Sequence, residues 1–178
     1  MREDVVVEKD GIRCVDFYKA IGKGYERGWF TNFKGRYRFY KGARSTKKSY
    51  DMLGYEPVMK ILSDPRRNIL ICRQNDVDNR QSTFERLCGC IADLGLESYF
   101  KMTKNPLEIT YTSTGQKIVF RGLNNPTSLT SVTFAHGFLT DIIIEEAFEV
   151  ANYEDFIKID GSVRGKLPKG LALQITCC

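Results

Sequence analysis

The stretch Phe39–Asp51, F-Y-K-G-A-R-S-T-K-K-S-Y-D, decides the fold of this chain. An aromatic, β-prone run leads into it, and a helix-compatible segment follows it. The order strand, loop, helix fits the nucleotide-binding pattern G-x-x-x-x-G-K-[ST], with Lys47 at the second glycine position. Backbone N–H groups of such a loop and the N-terminus of the next helix form a concave anion site. The predicted phosphate-binding residues are Gly42, Ala43, Arg44, Ser45, Thr46, Lys47, Lys48 and Ser49.

Two side chains of this loop carry specific chemistry. Lys48 is predicted to reach the β and γ phosphates of a bound nucleotide, and the Ser49 hydroxyl is predicted to ligate Mg²⁺. Lys47 departs from the pattern, because a glycine at its position lets the backbone approach a phosphate closely. A merely basic turn is therefore the alternative interpretation of this stretch.

A second stretch, Leu139–Ala147, reads L-T-D-I-I-I-E-E-A. An apolar run that ends in two acids is typical of a buried parallel strand with carboxylates at its C-terminal end. We expect Glu145, where aspartate is usual, to join the Mg²⁺ shell, and Glu146 to activate the attacking water. The alternative is a buried strand that enters a helix start, where acids are favoured by the helix dipole.

Length and composition fit one globular domain. The chain has 178 residues, of which 42% are hydrophobic and 28% charged, enough to bury a hydrophobic core. No apolar run approaches the roughly 20 residues of a membrane span. The N-terminal apolar run is too short for a secretory signal, so an intracellular protein is predicted. The net charge of +5 is compatible with a polyanionic partner.

The six cysteines do not form a metal-binding pattern. They contain no C-x-x-C spacing, and the single histidine, His136, is far from all of them in sequence. We therefore expect reduced, mostly buried thiols. The cysteines are Cys14, Cys72, Cys88, Cys90, Cys177 and Cys178.

The chain divides at about residue 35 into an N-terminal arm or lid, residues 1–35, and a main domain, residues 36–178. The arm is rich in aromatic side chains, which could cover an adenine ring or pack onto the core. These aromatic residues are Phe17, Tyr18, Tyr25, Trp29, Phe30 and Phe33.

Hydrophobic periodicity in the main domain predicts a three-layer α/β fold with a mostly parallel central sheet and an inserted β-hairpin. Pro57 is expected to kink or break the first helix. The hairpin follows from two β-prone runs around Ser113-Thr114-Gly115. The predicted helices cover residues 50–62, 82–100 and 147–159, and the predicted strands cover residues 68–73, 108–112, 116–121, 139–144 and 171–176.

Four motifs in this order resemble the N-terminal ATPase half of phage terminase large subunits, the DNA-packaging motors of tailed bacteriophages. They are R-Y-R-F-Y-K-G-A-R-S-T-K-K-S from Arg36, N-I-L-I-C-R from Asn68, T-D-I-I-I-E-E-A from Thr140 and L-Q-I-T from Leu173. The resemblance covers residues 36–178. It implies a phosphate-loop NTPase with helicase-like strand order, which hydrolyses ATP with Mg²⁺ to move double-stranded DNA into a prohead.

The resemblance also implies roles for individual residues. Lys48 and Ser49 match the phosphate and Mg²⁺ residues, and Arg44 matches an arginine inside the loop that could neutralise charge on the γ-phosphate. Glu145 matches the metal-associated acid and Glu146 the catalytic carboxylate. Thr176 matches the motif thought to couple hydrolysis to movement. Arg164 lies in a basic loop where ring motors often place a trans-acting arginine, although a solvated loop charge is the alternative.

The family further implies partners and location: double-stranded DNA, the portal, the small terminase subunit and other copies in a ring, in the host cytoplasm. It leaves open a monomeric isolated domain, and it predicts no membrane partner. The nuclease half of the family has no counterpart in these motifs, so no nuclease activity is expected. Two alternatives stay open: another nucleic-acid-stimulated helicase-type ATPase, and a nucleotide-binding scaffold without turnover, which Lys47 motivates.

Overall fold

A seven-stranded sheet forms the centre of the chain. The computed structural model describes residues 2–26, 35–42, 46–124, 129, 132–150, 153–162 and 166–178. The sheet order is β3-β9-β8-β4-β7-β6-β5, and a separate two-stranded hairpin contains β1 and β2. The strands are β1 Val6–Lys9, β2 Ile12–Val15, β3 Tyr37–Phe39, β4 Arg67–Arg73, β5 Phe100–Lys104, β6 Leu107–Tyr111, β7 Lys117–Gly122, β8 Phe138–Ile144 and β9 Gln174–Cys177.

Five neighbouring strands, β3, β9, β8, β4 and β7, are parallel to one another. At one edge, β6 and then β5 continue the sheet in antiparallel pairs. The predicted hairpin is thus confirmed as β6–β7, and it belongs to the central sheet. The mostly parallel sheet predicted from the apolar runs is confirmed as well.

The helices occupy both faces of this sheet, and two of them contain π-helical turns. In the described residues, no helix is both long enough and apolar enough to cross a membrane. Short 3-10 turns lie at Glu97–Tyr99 and Ala147–Glu149. The helices are α1, Phe17–Ala20; α2, which runs through Lys48–Tyr50, the π-helical Asp51–Tyr55 and Glu56–Ser63; α3, which runs through Asp76–Asp78, the π-helical Asn79–Thr83 and Phe84–Asp93; and α4, Tyr153–Ser162.

Two apolar clusters, one on each face of the sheet, give the fold its three layers. Alternation along β4 sends Ile69 and Ile71 to the face covered by α2 and α3, and Leu70 and Cys72 to the face that carries α4. All four side chains are buried. A parallel sheet covered on both faces requires strands that are apolar throughout, which is why β4 and β8 could be recognised in the sequence.

Several predicted element boundaries differ from the structure. In place of one helix over 147–159, there is a 3-10 turn at Ala147–Glu149 and then α4, Tyr153–Ser162. Pro57 does not break α2; it lies at the start of the last α-helical segment, just after the π-helical turn in which the Glu56 N–H donates to the Asp51 carbonyl. The helix predicted over 82–100 ends at Asp93, because Gly95 adopts a left-handed φ of 64° and stops it. The last strand starts at Gln174 and extends to Cys177.

The N-terminal segment packs onto the main domain. Val5, Ala20 and Ile21 are buried in the cluster beneath α2 and α3, and Phe17 and Tyr25 pack against it partly buried. Tyr18 is exposed. The predicted aromatic residues Trp29, Phe30 and Phe33 lie outside the described residues.

The cysteines are free thiols, and most are buried, as predicted. Cys72, Cys90, Cys177 and Cys178 are buried, whereas Cys14 and Cys88 are half-buried. Burial raises the pKa of Cys90 and of Cys178 to about 12, and that of Cys177 to about 11. These thiols therefore stay protonated at neutral pH, and their role is packing.

Candidate nucleotide site

The phosphate loop and the acidic strand meet at one edge of the sheet. Strand β9 lies between β3 and β8, and Cys177 pairs with Phe39 on one side and with Ile144 on the other. The last residues of β3 and β8 therefore lie in the same row across the sheet, at the same height along the strands. Because the carboxyl ends of parallel strands share an edge, the loop after β3 and the acids after β8 leave the sheet together.

The described part of the loop is exposed and is contacted by the N-terminal segment. Tyr25 of the N-terminal segment donates its phenol hydroxyl to Thr46 Oγ1 at 3.2 Å, and its ring lies 5.9 Å from that of Tyr40. A Cβ on Gly42 would be 2.9 Å from Thr46 Oγ1, so any larger residue here would require the Thr46 side chain to move. Ala43, Arg44 and Ser45, three of the predicted phosphate-binding residues, lie outside the described residues.

Lys47, the residue that departs from the sequence pattern, has a left-handed backbone with φ 60° and ψ 5°. Glycine reaches this region freely, whereas an L side chain there costs roughly 1–2 kcal/mol. The lysine thus has a backbone conformation that glycine adopts readily, at an energetic cost. Its side chain is exposed, and Lys48 and Ser49, both half-buried, follow as the first residues of α2.

Asp51, two residues beyond Ser49, is a buried carboxylate that sequence reasoning missed. The Gly22 backbone N–H donates to its two oxygens at 3.1 and 3.0 Å. Burial raises the pKa of Asp51 to about 6. A cavity of about 360 Å³ opens beside it, and its lining residues are Arg2, Ala20, Lys47, Tyr50, Asp51 and Tyr55.

Glu145, directly after β8, is held by α3. Its Oε1 accepts from Arg86 at 2.6 Å and its Oε2 accepts from the Thr83 hydroxyl at 2.7 Å, while Arg73 Nε lies 3.7 Å away. The side chain is buried. These three groups stabilise the charge of the carboxylate and fix its direction. Arg73, at the end of β4, also donates to Ser82 at 3.0 Å.

Glu146, the next residue, is positioned differently. Its backbone is left-handed, with φ 52° and ψ 50°, which turns the chain sharply out of the strand. None of the described side chains forms an ion pair with Glu146. The structure thus separates the two neighbouring acids into one that is fixed by cations and one that is left available. Left-handed non-glycine residues cluster at functional sites in proteins.

Thr176, the predicted coupling residue, lies on β9 and accepts hydrogen bonds from Arg38 of β3 at 2.6 and 3.0 Å. Arg38 also forms a buried ion pair with Glu56 of α2. Lys60, one helical turn later, pairs with Glu56 at 2.7 Å and with Asp141 of β8 at 2.5 Å. Sequence analysis missed this buried network, although Asp141, a charge within an apolar strand, was a visible sign of it. Arg164 lies outside the described residues.

The donor atoms at this edge suit Mg²⁺. Magnesium prefers hydroxyl and carboxylate oxygens and usually keeps several waters, so it needs few protein ligands. Ser49 supplies a hydroxyl, and Glu145 supplies a carboxylate whose oxygens each have a second lone pair beyond the bonds already made. These two residues would hold the ion.

Comparison with known proteins identifies the relatives of this chain. The sequence model of the family described as "Phage terminase large subunit" matches residues 34–178. The PBSX phage terminase large subunit of Bacillus subtilis (strain 168) is 33% identical over 146 residues, which cover 82% of this chain and 32% of that protein. The chain therefore spans about a third of the length of this curated relative.

Solved structures share the fold at low sequence identity. The N-terminal domain of the DNA packaging ATPase from bacteriophage phi29 superposes with a TM-score of 0.60 at 14% identity, over 86% of this chain and 77% of that one. The large terminase of bacteriophage HK97 superposes with a TM-score of 0.57 at 14% identity, over 93% of this chain and 33% of that one. Both comparisons show that the α/β fold described above is shared with these two proteins.

Proposed function

Because this chain belongs to the phage terminase large subunit family, we propose that it hydrolyses ATP with Mg²⁺ and so drives the packaging of double-stranded DNA into a prohead. The observation that carries this proposal is the shared row Phe39–Cys177–Ile144, which aligns the ends of the loop strand and the acidic strand. Phosphate-binding and acidic groups at one sheet edge are what phosphoryl transfer to water needs.

Binding of the triphosphate is assigned to the start of α2. Lys48 contacts the β and γ phosphates, Ser49 and Glu145 hold Mg²⁺, and Arg44 adds a positive charge within the loop. Bound Mg²⁺ neutralises charge that develops on the phosphate oxygens. The nucleoside would lie in the cavity beside Tyr50 and Asp51, whose volume of about 360 Å³ is in the range of small-ligand pockets.

Glu146 is assigned to the attacking water. A general base must reach the water with a free carboxylate, and none of the described residues pairs with Glu146. Glu145 cannot take this role as easily, since Arg86 and Thr83 already hold both of its oxygens. Catalysis here is mostly positioning and electrostatic stabilisation, as in phosphoryl transfer generally.

Partners and location follow from the family. In a full-length protein we expect the domain to act on double-stranded DNA with the portal and the small terminase subunit, in a ring of copies in the host cytoplasm. Thr176 would couple hydrolysis to movement, and Arg164 would act in trans on a neighbouring site. The 33% identity with the PBSX phage terminase large subunit supports the packaging assignment.

A second candidate is a nucleotide-binding domain without turnover. It is favoured by the ion pair of Arg86 with Glu145, because a cation at 2.6 Å competes with Mg²⁺ for the same carboxylate. Both candidates require nucleotide binding through Lys48, and only the first requires Glu146.

The test is nucleotide binding and Mg²⁺-dependent turnover by the chain, with Lys48→Ala and Glu146→Gln as variants. We expect wild type to bind and hydrolyse ATP, Lys48→Ala to lose binding, and Glu146→Gln to bind but lose turnover by about 100-fold or more. Arg66→Gln, in a partly buried pair with Asp64 at 2.7 Å, is the control and should bind and hydrolyse ATP as wild type does.

Each alternative gives a different result. Binding that needs Lys48, with no turnover in wild type, supports the non-hydrolysing domain. Failure of wild type to bind ATP rejects both candidates. Hydrolysis that survives in Glu146→Gln rejects the assignment of the base.

A further inference from the structure

The two arginines of the R-Y-R motif point to opposite faces of the sheet. Arg36 pairs with Asp160 of α4 at 2.6 Å, and Arg38 pairs with Glu56 of α2. Successive side chains alternate along a strand, so residues two apart should share a face; the two arginines differ because Arg36 precedes the first residue of β3. Only Arg38 is therefore connected to the helix that follows the phosphate loop.

Arg38 joins the two flanks of that loop. It lies on β3, four positions before Gly42, and its partner Glu56 lies on α2, eight positions after Lys48. The same guanidinium donates to Thr176 of β9 at 2.6 and 3.0 Å. One buried side chain of the strand that enters the loop thus contacts both the helix that follows the loop and the strand that carries the predicted coupling residue.

Stability alone does not account for this arrangement. Arg38 is 5% exposed and Glu56 is 0% exposed, and burial of both charges carries a desolvation penalty that an apolar pair would avoid. One oxygen of the Glu56 carboxylate, Oε2, is buried without a hydrogen-bond partner in the described part of the chain, which is a further cost. What the ion pair supplies beyond apolar packing is direction, because a guanidinium forks toward two acceptors at fixed angles.

We propose that Arg38 is a positioning residue that holds the phosphate loop in its binding geometry and connects it energetically to Thr176. The inference rests on the proposed nucleotide site. Lys60 and Asp141 extend the anchor to β8, since Lys60 pairs with both Glu56 and Asp141. The body of α2 is thereby fixed to β3 through Glu56 and to β8 through Lys60.

The test compares nucleotide affinity and folding in matched variants, with a fluorescent ATP analogue and Mg²⁺ as the probe. Arg38→Met with Glu56→Met removes the ion pair but keeps apolar volume, so the fold should persist with a similar melting temperature. We expect its dissociation constant for nucleotide to rise about tenfold or more. Arg36→Met, on the same segment but paired with Asp160, should bind as wild type does.

Two further variants distinguish positioning from folding. Arg38→Lys keeps the charge but cannot fork to Glu56 and Thr176 together, so it should weaken binding without loss of stability. Thr176→Val should weaken binding about threefold in wild type and have no effect in the Arg38→Met, Glu56→Met background, because the connection is already lost.

Three outcomes contradict the proposal. Unchanged affinity in the folded double variant, or in Arg38→Lys, rejects the positioning role, and additive effects of Thr176→Val reject the connection to β9. Wild-type chain that binds no nucleotide rejects the proposed function, and this inference with it. A double variant that does not fold leaves the decision to Arg38→Lys and Thr176→Val.

Discussion

The carboxylate of Asp51 accepts the backbone N–H of Gly22 at 3.0 and 3.1 Å. This contact links the N-terminal segment to the first turn of α2, directly beyond Ser49. A Cβ on Gly22 would lie 2.4 Å from Asp51 Oδ2, so the two residues fit only because one lacks a side chain. Burial disfavours the charged form of this carboxylate and raises its pKa, whereas the Gly22 hydrogen bond and the charge of Lys47 lower it.

Asp51 should make stability depend on pH. Its pKa is raised from 3.8 to about 6 in the folded chain, so the folded state binds more protons than the unfolded state between these values. The contribution of Asp51 to the free energy of unfolding is fully present below about pH 4 and is lost as the pH rises through about 6. Asp51→Asn should therefore be more stable than wild type by about 1–2 kcal/mol at pH 7, and similar at pH 4. Urea unfolding at both pH values measures the difference, and a difference independent of pH would contradict this assignment.

Lys47→Gly should stabilise the chain. The left-handed backbone at φ 60° costs a lysine roughly 1–2 kcal/mol, which glycine avoids, while glycine loses about 0.5–1 kcal/mol of chain entropy. Lys47→Ala is the matched control, because it removes the charge but keeps the Cβ. We expect the free energy of unfolding, measured in urea, to be about 1 kcal/mol higher for Lys47→Gly than for Lys47→Ala. If the alanine variant is the more stable of the two, the backbone at this position is not strained.

Gly54→Ala should destabilise the chain in spite of the better helix propensity of alanine. The new Cβ would lie 2.3 Å from Cys90 Sγ of α3, and overpacking of this kind costs about 1–3 kcal/mol. Cys90→Ala removes the sulfur, so the double variant should recover most of the loss. A double-mutant cycle in thermal unfolding measures the coupling, and additive effects would mean that the two helices are not in contact here.

Arg86→Gln should cost about 1–3 kcal/mol of stability, because it leaves the buried Glu145 carboxylate without its nearest cation. Arg86→Gln with Glu145→Gln should recover part of this loss, since no charge is then left unpaired. Lys104→Gln serves as control: it breaks an exposed pair with Glu85 at 2.7 Å and should change stability by less than about 0.5 kcal/mol. Equal effects of Arg86→Gln and Lys104→Gln would show that Glu145 does not depend on Arg86.

The central strands could be predicted because buried strands consist mainly of apolar residues. Strands β4 and β8 each contain a short, nearly continuous apolar run. In an α/β chain, such a run is typical of a strand that is covered on both faces. Strand β5 was missed, because F-K-M-T-K alternates weakly and the preceding helix prediction covered its start. The stop signal was present in Gly95, and pairing of β5 with β6 depends on contacts that local pattern does not contain.

The candidate site also contains some features that the sequence predicts and others that it does not. A spacing rule places Lys48 and Ser49 at the start of a helix, and two acids after an apolar strand indicate the edge where Glu145 and Glu146 lie. The different surroundings of those two acids could not be predicted, because Arg86 approaches from a separate helix. Arg38 and Thr176 are 138 residues apart, so their contact follows only from the position of β9 between β3 and β8.

The position of β9 between β3 and β8 also sets the distance between those two strands. Hydrogen-bonded strands are spaced at about 4.8 Å, so two steps put the ends of β3 and β8 about 10 Å apart. This interval is set by main-chain geometry, which every amino-acid sequence shares. Side chains on the three strands can diverge during evolution while the distance between the ends of β3 and β8, which flank the proposed nucleotide site, stays constant. Loss of the middle strand would halve the gap, and so selection should preserve strand order longer than it preserves residue identity.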